Sequence, residues 1–243
     1  MVAPRPRIGT AGWSIPRAVA GRFPSDGSGL ERYAAVFDAV EINSTFYRPH
    51  RPATFARWAE RTPEAFRFSV KVPRVITHDA RLAGAEDDLG RFLSELDPLR
   101  PKLGVLLVQL PPSLAFDAAV AAGFFGALRQ REPALPVACE PRHASWLSPE
   151  ADQLFSGLHV ARVAADPALS PAAAEPGGWP GLTYFRLHGS PRMYRSAYGP
   201  EAAARLAERL RSVRSGEAWC IFDNTASGAA AADALELAGR LAL

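Results

Sequence analysis

Val137-Ala-Cys-Glu-Pro-Arg-His-Ala-Ser-Trp146 is the stretch on which the reading of this chain turns. A short run of small and strand-forming residues ends in Glu140, Arg142 and His143. Pro141 breaks the extended run, and Trp146 opens the next segment. An acid, a permanent cation and an imidazole at the end of a buried strand each need a partner or a ligand. The same arrangement, an apolar strand with polar residues only at its C-terminal end, recurs along most of the chain.

Outward from that stretch, strands are expected at 7–13, 39–43, 66–71, 103–109, 159–165, 183–188 and 218–222. Residues 103–109 are apolar on both faces, as suits a strand covered by helices, and Pro111-Pro112 stops it. Helical stretches fall between them, near 30–37, 53–61, 87–96, 116–131, 149–155 and 200–213, with a last one running towards Leu243. Ser227 or Thr225 is placed to cap that last helix. Residues 167–180 are rich in Pro, Ala and Gly and lack periodicity, so the helix after strand six is expected to be irregular or missing. Eight strand–helix units predict a single (β/α)8 barrel of the TIM type over residues 1–243. The alternative, an open doubly wound sheet, would more often carry a glycine fingerprint, and Gly9 and Gly12 have the wrong spacing for one.

The composition sets the class. The chain has 243 residues, 48% hydrophobic and 22% charged, an ordinary globular balance for one barrel. Of 28 basic residues only Lys71 and Lys102 are lysines. With the abundant Ala and Pro, this arginine bias reads as base composition, so the net charge of +3 makes nucleic acid the weaker expectation for a partner. Cys139 and Cys220 sit in apolar strand patterns and read as buried hydrophobes. Without an apolar signal core or a bilayer-length apolar run, a cytoplasmic protein with no membrane partner is expected.

The chemistry collects at strand ends: Glu41, Asn43, Lys71, Gln109, Glu140, Arg142, Asp166, Arg186, His188 and Asp223. Glu41 and Asn43 share a face, as do Tyr184, Arg186 and His188. In a barrel such faces meet at the C-terminal mouth, where active sites of this architecture lie. Four acids against Lys71, Arg142 and Arg186 give near neutrality, unlike a divalent-cation cage, and the histidines lack metal-motif spacing. No metal or other cofactor is therefore expected. Arginine forks suit carboxylates and phosphates, which points to a small anionic ligand. Arg192, Arg195 and the N-terminus of the last helix, from Asn224 to Gly228, offer a further anion site. Lys71, in a chain nearly devoid of lysine, is a candidate base, imine former or anion ligand, or else a structural partner of Glu41 or Glu140. Trp13, Phe46, Tyr47, Trp146, Tyr194 and Tyr198 could stack on rings. Glycosidase chemistry would need one protonated carboxyl, which the cations disfavour.

Glu41-Ile-Asn-Ser-Thr-Phe-Tyr47, Phe68-Ser-Val-Lys-Val-Pro73 with Ile76-Thr-His78, Gln109-Leu-Pro-Pro112, Glu140-Pro-Arg-His-Ala-Ser-Trp146, Arg186-Leu-His-Gly189 and Phe222-Asp-Asn-Thr225 occur in that order. Together they resemble the YecE-like family, a domain of unknown function. The resemblance covers essentially the whole chain. It implies a barrel related to the (β/α)8 type and a shared site of Glu41, Asn43, Lys71, Glu140, Arg142, Arg186 and His188, with no settled activity. Ile15, Pro141 and Asp223 depart from the family pattern, Asp223 standing where many members carry Asn.

The site expected from residues and resemblance together has Glu41, Lys71, Glu140 and His188 as catalytic groups. Asn43, Tyr47, Gln109, Arg142, His143, Arg186, Tyr194, Tyr198, Asp223 and Asn224 would contact the substrate. The first reading is an enzyme using acid/base chemistry on an anionic small substrate, a phosphorylated one included, without an obligatory metal. The alternatives are a metal-dependent phosphodiester hydrolase or nucleic-acid-processing barrel, and a non-catalytic binding protein.

Overall fold

Each short apolar run forms a strand, and the strands line up in chain order. The computed structural model describes residues 5–214 and 216–242. One run of parallel strands is β2 (Ala39–Ile42), β3 (Arg67–Lys71), β4 (Leu103–Gln109), β5 (Val137–Glu140) and β6 (Val160–Arg162). A second run is β7 (Ala164–Asp166), β9 (Leu182–Leu187), β10 (Glu217–Phe222) and β1 (Arg7–Thr10). β6 and β7 are two halves of the expected sixth strand, interrupted at Val163: β6 pairs with β5, and β7 pairs with β9. The two runs therefore join through one bent strand, and eight strand positions close a barrel.

The other seam, between β1 and β2, is closed by unusual means. Ala11 bridges to Glu41, and the Gly12 N–H donates to the Glu41 carbonyl at 2.8 Å. Lower down the Tyr33 hydroxyl stands between the strands, accepting from the Thr10 N–H at 2.8 Å and donating to the Ala39 carbonyl at 3.0 Å. Gly9 permits this approach, since a Cβ there would lie 2.2 Å from the Ala39 oxygen.

Among the described residues seven α-helices cover the barrel: α1 (Gly29–Ala34), α2 (Pro52–Glu60), α3 (Glu86–Glu95), α4 (Ala118–Arg131), α5 (Pro149–Gly157), α6 (Gly199–Ser212) and α7 (Ala229–Leu241). The Ser28/Glu31 capping box starts α1, and Asp117 and Ser148 cap α4 and α5. After the sixth strand no α-helix forms, as the Pro/Gly content predicts. A single 3-10 turn (Pro171–Ala174) and a two-residue antiparallel strand, β8 (Gly177–Gly178), take its place. The outward-facing Arg162 anchors this segment, donating to the Ala172 and Glu175 carbonyls while pairing with Asp152 at 2.8 Å.

The start of α7 differs from expectation. It begins at Ala229 with Gly228 (φ +78°) as its N-cap and no side-chain cap. Ser227 instead donates to the Arg195 carbonyl at 2.5 Å, and the Thr225 carbonyl accepts from the Gly228 N–H at 3.0 Å. The Ser227 hydroxyl is thus engaged by another loop, and the turn closed on the Thr225 carbonyl puts Gly228 at the N-cap position instead of either residue.

The barrel interior holds Ala39, Val105, Leu107, Ala138, Ala161, Val163, Leu182, Tyr184, Trp219 and Ile221. Trp219 and Tyr184 stack at its floor with centroids 6.1 Å apart, and Gly104 leaves the space that Trp219 fills. Cys139 and Cys220 are buried and unpaired. Among the described residues no helix is long and apolar enough to cross a membrane. Tyr33→Phe should strand a buried N–H and a buried carbonyl at the β1/β2 seam, costing about 1–3 kcal/mol. Urea unfolding should show a lower midpoint at unchanged slope, and an unaltered midpoint would contradict this account of the seam.

Candidate functional site

Interior parity decides which side chains meet. Glu41, Gln109, Glu140, Arg186, His188 and Asp223 each lie an even number of residues beyond an apolar side chain that fills the barrel, so they continue the interior towards the C-terminal mouth. Ser69 and Lys71 on β3 join them, in register with Glu41 and Leu107.

Arg186 is the hub, with 0% of its surface exposed. Its Nε and Nη2 grip Glu41 in a fork at 3.0 and 2.7 Å. Nη1 donates to Glu140 at 3.0 Å and to Gln109 at 3.4 Å, and Nη2 lies 2.9 Å from Asp223. Arginine's planar fork suits such multiple pairing, and burial among carboxylates keeps the guanidinium charged. Burial alone would raise the Glu140 carboxyl, but Arg186 first, then His188 and Arg142, hold it well below the usual carboxylate range. Asp223 is likewise lowered against burial, by Arg186 and His188. Tyr184 donates to Glu41 at 3.1 Å beneath the fork and lies 2.9 Å from Ser69 Oγ.

Above this layer His188 lies between two acids. Its Nδ1 is 3.0 Å from Asp223, and its Nε2 is 2.9 Å from Glu140 and 2.7 Å from Arg142 Nη2. Nε2 thus faces an acceptor and a donor together, an arrangement suited to passing a proton. Arg142 also pairs with Glu140 at 2.5 Å, but its buried Nε has no partner. The half-exposed Tyr194 ring stands edge-on to His188 at 5.6 Å.

Lys71 is different. It is 5% exposed, its ammonium lies 4.0 Å from the centroid of the Phe46 ring, and among the described residues no carboxylate pairs with it. The alternative reading of Lys71 as a structural partner of Glu41 or Glu140 does not hold, because Arg186 and Arg142 take those acids. Burial first, then the Arg186 charge, pull its ammonium down to about 8, against the pull of Glu41, Glu140 and Asp223. His78 packs on the same Phe46 ring at 4.9 Å, and burial and the Lys71 charge lower it. Asn43, just past β2, carries a buried amide oxygen with no donor.

Glu41, Lys71, Gln109, Glu140, Arg142, Arg186, His188, Asp223 and Tyr194 therefore gather at one mouth. Four other expected contacts lie apart. Tyr47 is 74% exposed and lines an outer cavity of about 520 Å³ with Pro73, Val75 and Phe92. His143 accepts from the Ser145 N–H, capping a short turn. Tyr198 donates to Asp166 at 2.6 Å and packs edge-on against Phe222. Asn224 donates to the Ser196 carbonyl and to Asp233. Asp166 and Asn224 each stand one residue out of interior phase, so they face the helices. Tyr184, Ser69 and His78 were absent from the expected site, and Phe46 was expected only to stack on a ring. Tyr184 and Ser69 carry a sequence signal, the parity they share with Arg186 and Lys71.

The geometry defines a (β/α)8-barrel protein with a buried, nearly charge-balanced cluster at its C-terminal mouth. The protein-of-unknown-function family DUF72 matches residues 7–243, and the chain belongs to it. It is similar to the UPF0759 protein YecE of Escherichia coli K12, with 39% identity over 104 residues, 43% of this chain and 37% of that protein. It is also similar to YunF of Bacillus subtilis, 28% identical over 58% of this chain and 52% of that one. The chain thus spans between about a third and a half of these relatives' lengths. Among solved structures, a DUF72 protein of Enterococcus faecalis superposes with a TM-score of 0.81 at 25% identity, covering 98% of this chain and 95% of that one. One from Thermotoga maritima gives 0.79 at 27%, covering 98% and 99%.

Removing either cation should have opposite effects on stability. Arg186→Met strands three buried carboxylates and should cost about 3–5 kcal/mol. Lys71 has a folded value near 8 against 10.5 for an ordinary lysine, so the native state releases this proton first and its stability rises with pH between those values. Lys71→Met should therefore be the more stable protein at neutral pH, by about 3 kcal/mol, with the gap closing as the medium becomes alkaline. Denaturant unfolding across that range checks both signs. A destabilised Lys71→Met would contradict an ammonium whose burial is uncompensated.

Proposed function

We propose that the barrel mouth binds a small anionic substrate and moves a proton on it, without an obligatory metal. The observation that carries this reading is the Lys71 ammonium, which ends a buried side chain against the Phe46 ring and, among the described residues, has no carboxylate partner. A charge that receives no compensating carboxylate at such a position is held ready for a ligand's negative group. Arg142, whose side chain is 13% exposed, offers a second cation at the rim. The parts divide by what each group already touches. Arg186 has its donors engaged by Glu41, Glu140, Gln109 and Asp223, so it holds the acids in place rather than the substrate. Lys71, with a value near 8, can take up or release a proton close to neutrality. The chain Asp223–His188–Glu140 supplies a second route, because His188 Nε2 meets a donor and an acceptor. The carboxylates that could otherwise ligate a divalent cation are turned onto Arg186, which favours anion chemistry over a metal-assisted hydrolase.

With only two lysines in the chain, labelling lysine with 13C at Cε gives one resonance for Lys71 and one for Lys102. Titration with phosphate or a small carboxylate should shift the Lys71 signal saturably and leave the Lys102 signal in place. Two signals that ignore every anion would sink the reading.

A further inference from the structure

Resting on that reading, we infer that Lys71 is a covalent site: its amine condenses with a small aldehyde or ketone that also carries a carboxylate or phosphate. Three features of the mouth converge on this chemistry. Lys71 Nζ makes no ion pair, so no carboxylate holds it as an ammonium. It rests 4.0 Å from the centroid of the Phe46 ring at the end of a largely buried side chain, where a neutral amine and an imine are both better accommodated than in water. The acids nearest it in charge, Glu41, Glu140 and Asp223, are each held by Arg186 at 2.7, 3.0 and 2.9 Å, so none of them pairs with the amine. Lys102 is the internal contrast. Its ammonium donates to the Ala59 carbonyl at 2.5 Å and to the Thr62 carbonyl, which ties up its nitrogen as a structural donor.

The step balances within the protein and the carbonyl compound. The neutral amine's lone pair forms a C–N bond to the carbonyl carbon, and the C=O pair moves onto oxygen, which takes up a proton. The nitrogen gives up both of its protons, one to that oxygen and one to the departing hydroxyl, which leaves as water while the nitrogen lone pair closes the C=N bond. Groups that bear on the nitrogen's protonation are Arg186, Glu41, Glu140 and Asp223, with His78 sensing the Lys71 charge in return. At pH 7.4 an amine with a value near 8 is about one-fifth unprotonated, against about a thousandth for an ordinary lysine. Even after the lower intrinsic nucleophilicity of a weaker base, Lys71 should condense at least about tenfold faster than an unperturbed lysine.

The test uses the full chain with glyoxylate as the probe and borohydride to reduce the imine, followed by peptide mapping. One carboxymethyl group on Lys71, gained at least about tenfold faster than any on Lys102, is the expected result. Lys71→Arg keeps the cation and should lose the adduct while the protein stays folded by circular dichroism, whereas Lys102→Arg should keep it. Labelling of Lys71 no faster than that of Lys102, or only at the N-terminal amine, overturns the proposal. If carboxylates still shift the Lys71 resonance while no adduct can be trapped, covalent chemistry fails and the proton-transfer reading stands. If neither happens, both fail.

Discussion

The structure depends on Arg186. Its guanidinium sits inside a closed barrel and draws together Glu41 from β2, Glu140 from β5 and Asp223 from the end of β10. These strands are distant in sequence, and their ends could not be brought so close with any one of the charges left alone, since isolated buried ions are far too costly. Glu41 fulfils two parts at once. Its side chain enters the fork of Arg186, and its carbonyl accepts from Gly12 at the seam where the barrel closes. The site and the closure of the fold are thereby one construction.

Such a cluster is not the cheapest way to fill a barrel. Well-packed apolar residues would serve stability as well or better, and the lower interior, with Trp219, Tyr184, Leu107 and Ile221, shows that this chain has them. The change from apolar to charged layers occurs only at the C-terminal end, where this architecture carries its chemistry. Within that layer the acids are divided among Arg186, Arg142 and His188, and the division leaves out Lys71. A lysine excluded from a buried ion-pair network differs in kind from one satisfied by it: its proton is loosely held and its nitrogen is available.

Most of the barrel was legible in the sequence because each strand announces itself twice, by an apolar run and by the polar residue that ends it. Residues 103–109 were read as β4 with the observed bounds, and the Pro/Gly-rich stretch after the sixth strand correctly implied a missing helix. The interior members of the site followed from alternation along strands. Where alternation stops, local sequence no longer tells which way a side chain faces. Asp166 ends β7 and Asn224 follows β10, each one step out of phase, and Tyr198 belongs to a loop held against Asp166 and Phe222. The break at Val163, where one strand changes neighbours, leaves no mark in composition, because both halves are equally apolar. The start of α7 was misjudged for a similar reason: Ser227 is bonded to a carbonyl in another loop, a competitor that local sequence does not reveal.

What distinguishes this account from that of a saturated structural network is the state of a single nitrogen. Neutron diffraction from crystals held at about pH 9, above the Lys71 value near 8, reads it directly. Two deuterons on Nζ, no carboxylate bonded to it, and Arg186 fully deuterated between Glu41, Glu140 and Asp223 is the expected result. An ammonium with three deuterons, one of them donated to a carboxylate, would contradict it.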